Sequence, residues 1–225
     1  DSGQISIRRR FSHGLFFRVN YTYAKSLDSQ SGANYAGGGG YSMFQNVLNP
    51  SAEYGLSDFD IRHNFTATAV YRTSSRFYFL RDWQASGNLL AYSGQPFTPK
   101  VSGNQDLGQA TRPNQVCNGT LSNPTIHQWF NPDCFVVPPS GTFGNAGRNI
   151  LEGPGSVTLN LAVGRTFALP GDFGRFEFRL EGFNALNHPS FGYPSATIGS
   201  SKTAGVISST NGNQREVQIS GRYSF

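Results

Sequence analysis

Apolar and polar residues alternate with a period of two through seven segments of the chain, which predicts β-strands. Segment 215–225 is the cleanest. Val217, Ile219, Gly221, Tyr223 and Phe225 share one face, and Glu216, Gln218, Ser220, Arg222 and Ser224 share the other. In 156–167, Val157, Leu159, Leu161 and Val163 oppose Ser156, Thr158, Asn160, Ala162 and Gly164. Arg165 interrupts the apolar face near that strand's end, where a long side chain can reach water. In 175–186, Phe176, Phe178 and Leu180 oppose Arg175, Glu177, Arg179 and Glu181. The phase blurs at Gly182-Phe183, so a bulge is expected there.

The remaining segments follow the same rule. Residues 61–72 set Phe65, Ala67, Ala69 and Tyr71 against Arg62, Asn64, Thr66 and Thr68. Residues 83–93 set Trp83, Ala85, Leu89 and Ala91 against Gln84, Ser86 and Asn88. Residues 15–25 and 4–11 complete the seven, with Phe17, Val19, Tyr21, Ile5 and Ile7 among their apolar positions. Most of these segments have the roughly 9–11 residues that a tilted strand needs to cross a bilayer.

The connections at 12–14, 26–60, 73–82, 94–155, 168–174 and 187–213 alternate short with long. Membrane barrels have short periplasmic turns and long extracellular loops. The short-turn ends carry Phe11, Phe16, Phe17, Tyr71, Trp83, Phe167, Phe176 and Phe225. Aromatic rings favour the membrane interface, where an apolar body and a polar tip are both satisfied. The predicted fold is therefore all-β, an antiparallel transmembrane β-barrel, with Phe225 on the periplasmic side. Bacterial barrels have even strand numbers, and an open sheet in lipid leaves backbone groups unpaired. Seven strands are thus expected to be an arc of a larger barrel, with the missing strands upstream of Asp1. The absence of an initiator Met or a leader fits the same expectation.

Composition agrees. Charged residues are 14% and hydrophobic residues 37% of the 225, with 27 Gly and 19 Phe. A chain poor in both classes suits strands with one lipid face and one wet face. The net charge of +5 is scattered apart from Arg8-Arg9-Arg10, so nucleic acid is not an expected partner. The wet face nominates lumen-facing Arg62, Asn64, Thr66, Gln84, Glu177, Arg179, Glu181, Gln218 and Arg222.

Cys117 and Cys134 lie in loop 94–155 and are expected to pair, as a staple worth about 2–4 kcal/mol to a segment with little core of its own. A metal site using His127 with these cysteines would lack a fourth ligand. His13, His63 and His188 sit at turns or strand ends, and Asp58 and Asp60 read as turn residues more readily than cation ligands. Gly37 to Gly40 and Ser201-Lys202-Thr203 lack the strand–loop–helix context of a phosphate loop. No nucleophile–base–acid grouping emerges, so catalysis is not expected, and no cofactor is implied.

Several stretches resemble a known family. They are Asp58-Phe59-Asp60-Ile61-Arg62-His63-Asn64-Phe65, Tyr92-Ser93-Gly94-Gln95-Pro96-Phe97, Trp129-Phe130-Asn131-Pro132, Gly144-Asn145-Ala146-Gly147-Arg148-Asn149, and Phe183-Asn184-Ala185-Leu186-Asn187-His188-Pro189 with the terminal strand. In this order they resemble the C-terminal barrel region of TonB-dependent outer-membrane receptors, nearest to the Oar-like group with a carboxypeptidase-regulatory-like domain. The resemblance implies a barrel of about 22 strands, an upstream plug and TonB box not seen in 1–225, and energised uptake of a large scarce nutrient such as a metal chelate or glycan. It implies outer-membrane lipid and the TonB complex as partners, and gives no ligand-contacting residue. Val217, Tyr223 and Phe225 resemble the signal read by the barrel assembly machinery. Three alternatives stay open: a passive porin-like barrel, an outer-membrane barrel enzyme, and a soluble extracellular β-sandwich that binds glycan, whose apolar faces would be buried between two sheets. The strands are expected to form a curved open sheet whose loops lack order.

Overall fold

The computed structural model describes residues 1–31, 44–101, 111–171, 173–199 and 202–225. The glycine run Gly37 to Gly40 and Ser201 lie outside the described residues. Seven long strands form one sheet. They are β1 (Ser2–Ser12), β2 (Leu15–Ala24), β3 (His63–Arg72), β4 (Trp83–Tyr92), β5 (Ser156–Ala168), β6 (Arg175–Phe183) and β7 (Glu216–Ser224). Each pairs antiparallel with the next, so sheet order is chain order. The arc is open, and β1 and β7 each have one strand partner among the described residues.

The register carries the alternation of single strands across the whole sheet. Asn20 stands opposite Thr66, Thr68 opposite Asn88, Asn88 opposite Asn160, Gly164 opposite Arg179, and Glu177 opposite Arg222. Directly opposed residues point to the same side of a sheet. One face is therefore polar from β1 to β7. The other carries Val19, Phe65, Leu89, Leu159, Leu180 and Ile219. No second sheet covers this apolar face among the described residues: Ile5 is 63% exposed, Ile7 57%, Val217 67% and Ile219 68%. A sandwich would have buried them, so that alternative falls.

The hairpin between β1 and β2 turns on His13 (φ 52°) and Gly14 (φ 78°), two left-handed residues that match the twist of a tight β-turn. A Cβ on Gly14 would lie 2.2 Å from the Arg72 carbonyl oxygen, which leaves no room for a side chain. The expected bulge at Gly182-Phe183 is absent: the β6–β7 register runs without a slip from Arg175 to Phe183. The strand simply stops at Asn184, whose φ of 45° turns the chain. A register slip occurs instead between Arg9 and Ser12. Phe16 also departs from the expected aromatic belt, because it stands opposite Val70 on the polar face.

The fully buried hydrophobic core is not in the sheet. Phe97, Phe130, Cys134, Phe135, Leu151, Ala196 and Ile198 form it, packed with Trp129, Tyr193 and Ala204. All come from loops 94–155 and 187–213. Short ladders brace them: Pro96–Phe97 against Leu151–Glu152, Asn114–Gln115 against Phe135–Val136, and Lys100–Val101 parallel to Thr197–Ile198. Where described, the long loops form an ordered cap with its own core, which corrects the expectation that they lack order. The apolar residues are too far apart in sequence to show a period.

Candidate functional site

Loop 26–60 joins the cap through buried charges. The Arg148 guanidinium donates to the Asp28 carboxylate and its main-chain carbonyl, and reaches Asp58 Oδ1 at 3.5 Å. Asn149 donates through Nδ2 to Asp58 Oδ1 (2.6 Å) and the Leu56 carbonyl (2.7 Å). Asp60 Oδ1 accepts from the Ser26 amide at 2.6 Å. Asp58 and Asp60 stand in a turn, as expected, closed by the Asp60 amide donating to the Ser57 carbonyl at 2.9 Å, and they are also buried anchors of the loop base. Burial raises the Asp28 carboxyl, but hydrogen bonds from Ser57, Arg148 and Ser31 and the Arg148 charge outweigh it. The group is held below the ordinary carboxylate value.

A cavity of about 360 Å³ opens where these loops meet. Loop 26–60 contributes Leu56 and Asp60, with Arg62 just after it, and loop 94–155 contributes Leu121, Trp129, Ile150 and Glu152. The Trp129 indole N–H donates to the Glu152 carbonyl (2.8 Å) and the Trp129 amide to the Gly205 carbonyl (2.8 Å), so the residue is held through both its ring and its main chain. Gly94 brings the stems of loop 94–155 together: a Cβ there would lie 1.7 Å from the Gly153 carbonyl oxygen. The cavity combines a half-buried indole and aliphatic wall with Arg62 and the exposed Glu152. That suits a ligand with an apolar face and a polar edge. Sequence reasoning found Arg62 and singled out Trp129 only as part of a motif. Nothing in the spacing joins residue 62 to residue 129.

The structure places the remaining nominated residues as follows. Asn64, Thr66, Gln84, Glu177, Arg179, Glu181, Gln218 and Arg222 lie on the polar face by register. Thr66 accepts from Asn20 Nδ2 (3.1 Å), Gln84 accepts from Arg72 Nε (2.7 Å), and Arg179 donates to Glu181 (2.8 Å). Among the described residues the Asn64 Oδ1 is buried without a hydrogen-bond partner. Arg62 stands apart from this group: its guanidinium pairs with Asp60 at 3.4 Å and lies 5.9 Å from the Tyr23 ring, at the loop base.

Val217, Tyr223 and Phe225 lie at or beyond β7 on the apolar side, and the Tyr223 hydroxyl donates to the Phe173 carbonyl at 2.7 Å. Cys117 and Cys134 are joined in a disulfide with a Cα separation of 4.8 Å. Both sulfurs are thereby taken from any site with His127. His63 Nδ1 lies 2.8 Å from the Tyr21 hydroxyl and beside the Tyr23 ring, in an aromatic group at the long-loop end.

The Phe183 to Pro189 motif has a structural explanation. Asn184 is left-handed and buried. Its Nδ2 donates to the carbonyls of His188 (3.0 Å) and Asn213 (3.1 Å), and its Oδ1 accepts from the His188 amide (3.1 Å). One side chain thereby ties the two ends of loop 187–213.

Residues 1–218 match the family model described as an outer membrane beta barrel domain. No curated protein and no solved structure matches the chain.

Proposed function

This chain belongs to the outer membrane beta barrel domain family, and from that premise we propose that it forms part of an energised nutrient receptor. The carrying observation is the polar face, unbroken across seven strands, beneath an ordered cap with a cavity at its base. In a bilayer the exposed apolar face meets lipid, and the polar face then lines a wet lumen. Asn64, Thr66, Gln84, Glu177, Arg179, Glu181, Gln218 and Arg222 line that lumen and bind a plug through hydrogen bonds. The open edges at β1 and β7 are closed by further strands, because unpaired backbone groups are costly in lipid.

The long loops face outside. The cavity between Arg62, Trp129 and Glu152 admits a ligand of the metal-chelate or glycan class. TonB supplies the energy through an upstream segment, and Val217, Tyr223 and Phe225 carry the signal for the barrel assembly machinery. The chain has no catalytic role.

Conductance of the full-length parent protein in planar lipid bilayers tests this reading. A plugged receptor passes no steady current until urea displaces the plug. Steady conductance at once, with no plug or TonB box encoded upstream, would establish a passive pore instead.

A further inference from the structure

At the short-turn end, a second cavity of about 530 Å³ lies where segment 73–82 meets β4, β5 and β6. Its lining carries five guanidiniums, those of Arg72, Arg81, Arg165, Arg175 and Arg179, against two carboxylates. One of these, Asp82, already pairs with Arg81 at 3.2 Å. The floor is open because β5 presents Ala162, Gly164 and Ala168 there.

Arg165 is the unusual member. It is only 6% exposed, and among the described residues it has no acidic partner within ion-pair distance. Its two terminal nitrogens donate to the carbonyls of Tyr78 and Phe79, and its guanidinium lies 4.9 Å from the Tyr78 ring, 5.7 Å from Trp83 and 4.8 Å from Phe167. It therefore does not snorkel to water as the sequence suggested. Segment 73–82 folds over it and cages it. Among the described residues its Nε–H is buried without a partner, and so is the Nε–H of Arg179. A buried cation without a counter-ion is costly, and two unpartnered donors add to that cost. An anion on the polar side of this cavity meets Arg179 directly, while Arg165, which stands opposite Trp83 on the apolar side, is relieved through the field of the opposite charge.

We propose that this groove binds a phosphoryl group. Arginine forks match phosphate oxygens bidentately, and the cavity is large enough for the organic part of a phosphate ester. The phosphoryl group comes from a membrane lipid headgroup or from a soluble phosphate. The groove opens on the polar face at the short-turn rim, and the exposed run Phe77, Tyr78, Phe79 and Leu80 at that rim gives a lipid headgroup a surface to approach round.

The test uses the full-length protein in neutral detergent. Calorimetric titration with pyrophosphate forms one arm, and titration with micelles containing phosphatidylglycerol forms the other. Heat-modifiable gel mobility confirms that each variant is folded. The expected result is saturable binding in at least one arm, weakened tenfold or more by R72Q/R179Q and unchanged by R8Q/R10Q, which removes an equal charge on β1. Pyrophosphate binding assigns a soluble phosphate, and binding of the lipid micelles alone assigns a headgroup. Binding in neither arm overturns the proposal and leaves the groove to an acidic segment of the parent chain. An equal loss in R8Q/R10Q also overturns it, because net charge then explains the binding.

Discussion

Arg112 meets Glu53 through two parallel hydrogen bonds, Nη1 to Oε2 at 2.6 Å and Nη2 to Oε1 at 2.9 Å, with both side chains buried. The pair joins loop 94–155 to loop 26–60. Removing one partner from a buried pair strands the other charge, at about 3–5 kcal/mol. Glu53→Gln is therefore expected to loosen the cap and leave the sheet intact. Limited proteolysis of the folded protein checks this: cleavage within 26–60 and 94–155 should accelerate. The double variant E53L/R112M, which strands no charge, should recover most of the resistance. Equal resistance of E53Q and the parent would show that the pair does not hold the loops.

Asp28 gives the cap a pH dependence. Its carboxyl is held below the ordinary value in the folded chain. Its contribution is then fully present above the unfolded value of about 3.9 and is lost as pH falls through the lowered folded value. Protease resistance of the loops should fall on acidification below about pH 4. In D28N the component due to this group should be missing from the profile.

The Cys117–Cys134 bridge closes a stretch with a sequence separation of 17. The chain-entropy model gives such a staple roughly 3 kcal/mol. C117S/C134S should render the tip of loop 94–155 sensitive to protease, with little change in the temperature at which the barrel loses its heat-modifiable mobility. Reducing the parent protein should reproduce the same cleavage pattern.

Asn184 combines a left-handed backbone with three side-chain hydrogen bonds. N184A loses the bonds and also strains the backbone. N184G loses the bonds but accepts the positive φ. Each buried group left unpaired costs on the order of 1–3 kcal/mol. Barrel unfolding temperature should therefore fall in both variants, and further in N184A. The reverse order would mean that the backbone geometry contributes nothing.

The strands were legible because each carries its own evidence. The period of two in Val217 to Phe225, or in Val157 to Val163, follows from side chains alternating across a pleated backbone. The alternation of short and long connections then set the strand directions. Both signals are local, and the structure departs from them only at details such as the misplaced bulge and Phe16. The cap was not legible. Phe97, Phe130, Leu151 and Ile198 lie in segments without a period, and they meet only because two separate loops return to the same end of the sheet.

Arg165 marks the boundary between the two kinds of information. The residue pattern by itself determined that a cation stands on the apolar face near a strand end, because alternation assigns each residue its side. Only the tertiary structure decided what becomes of that charge. Segment 73–82 folds over it, and Tyr78, Trp83 and Phe167 surround it. Strand pattern arises from neighbours in sequence, whereas burial arises from neighbours in space. The loop cavity at Arg62 and Trp129 follows the same rule, since its walls come from segments that only the folded chain brings into contact.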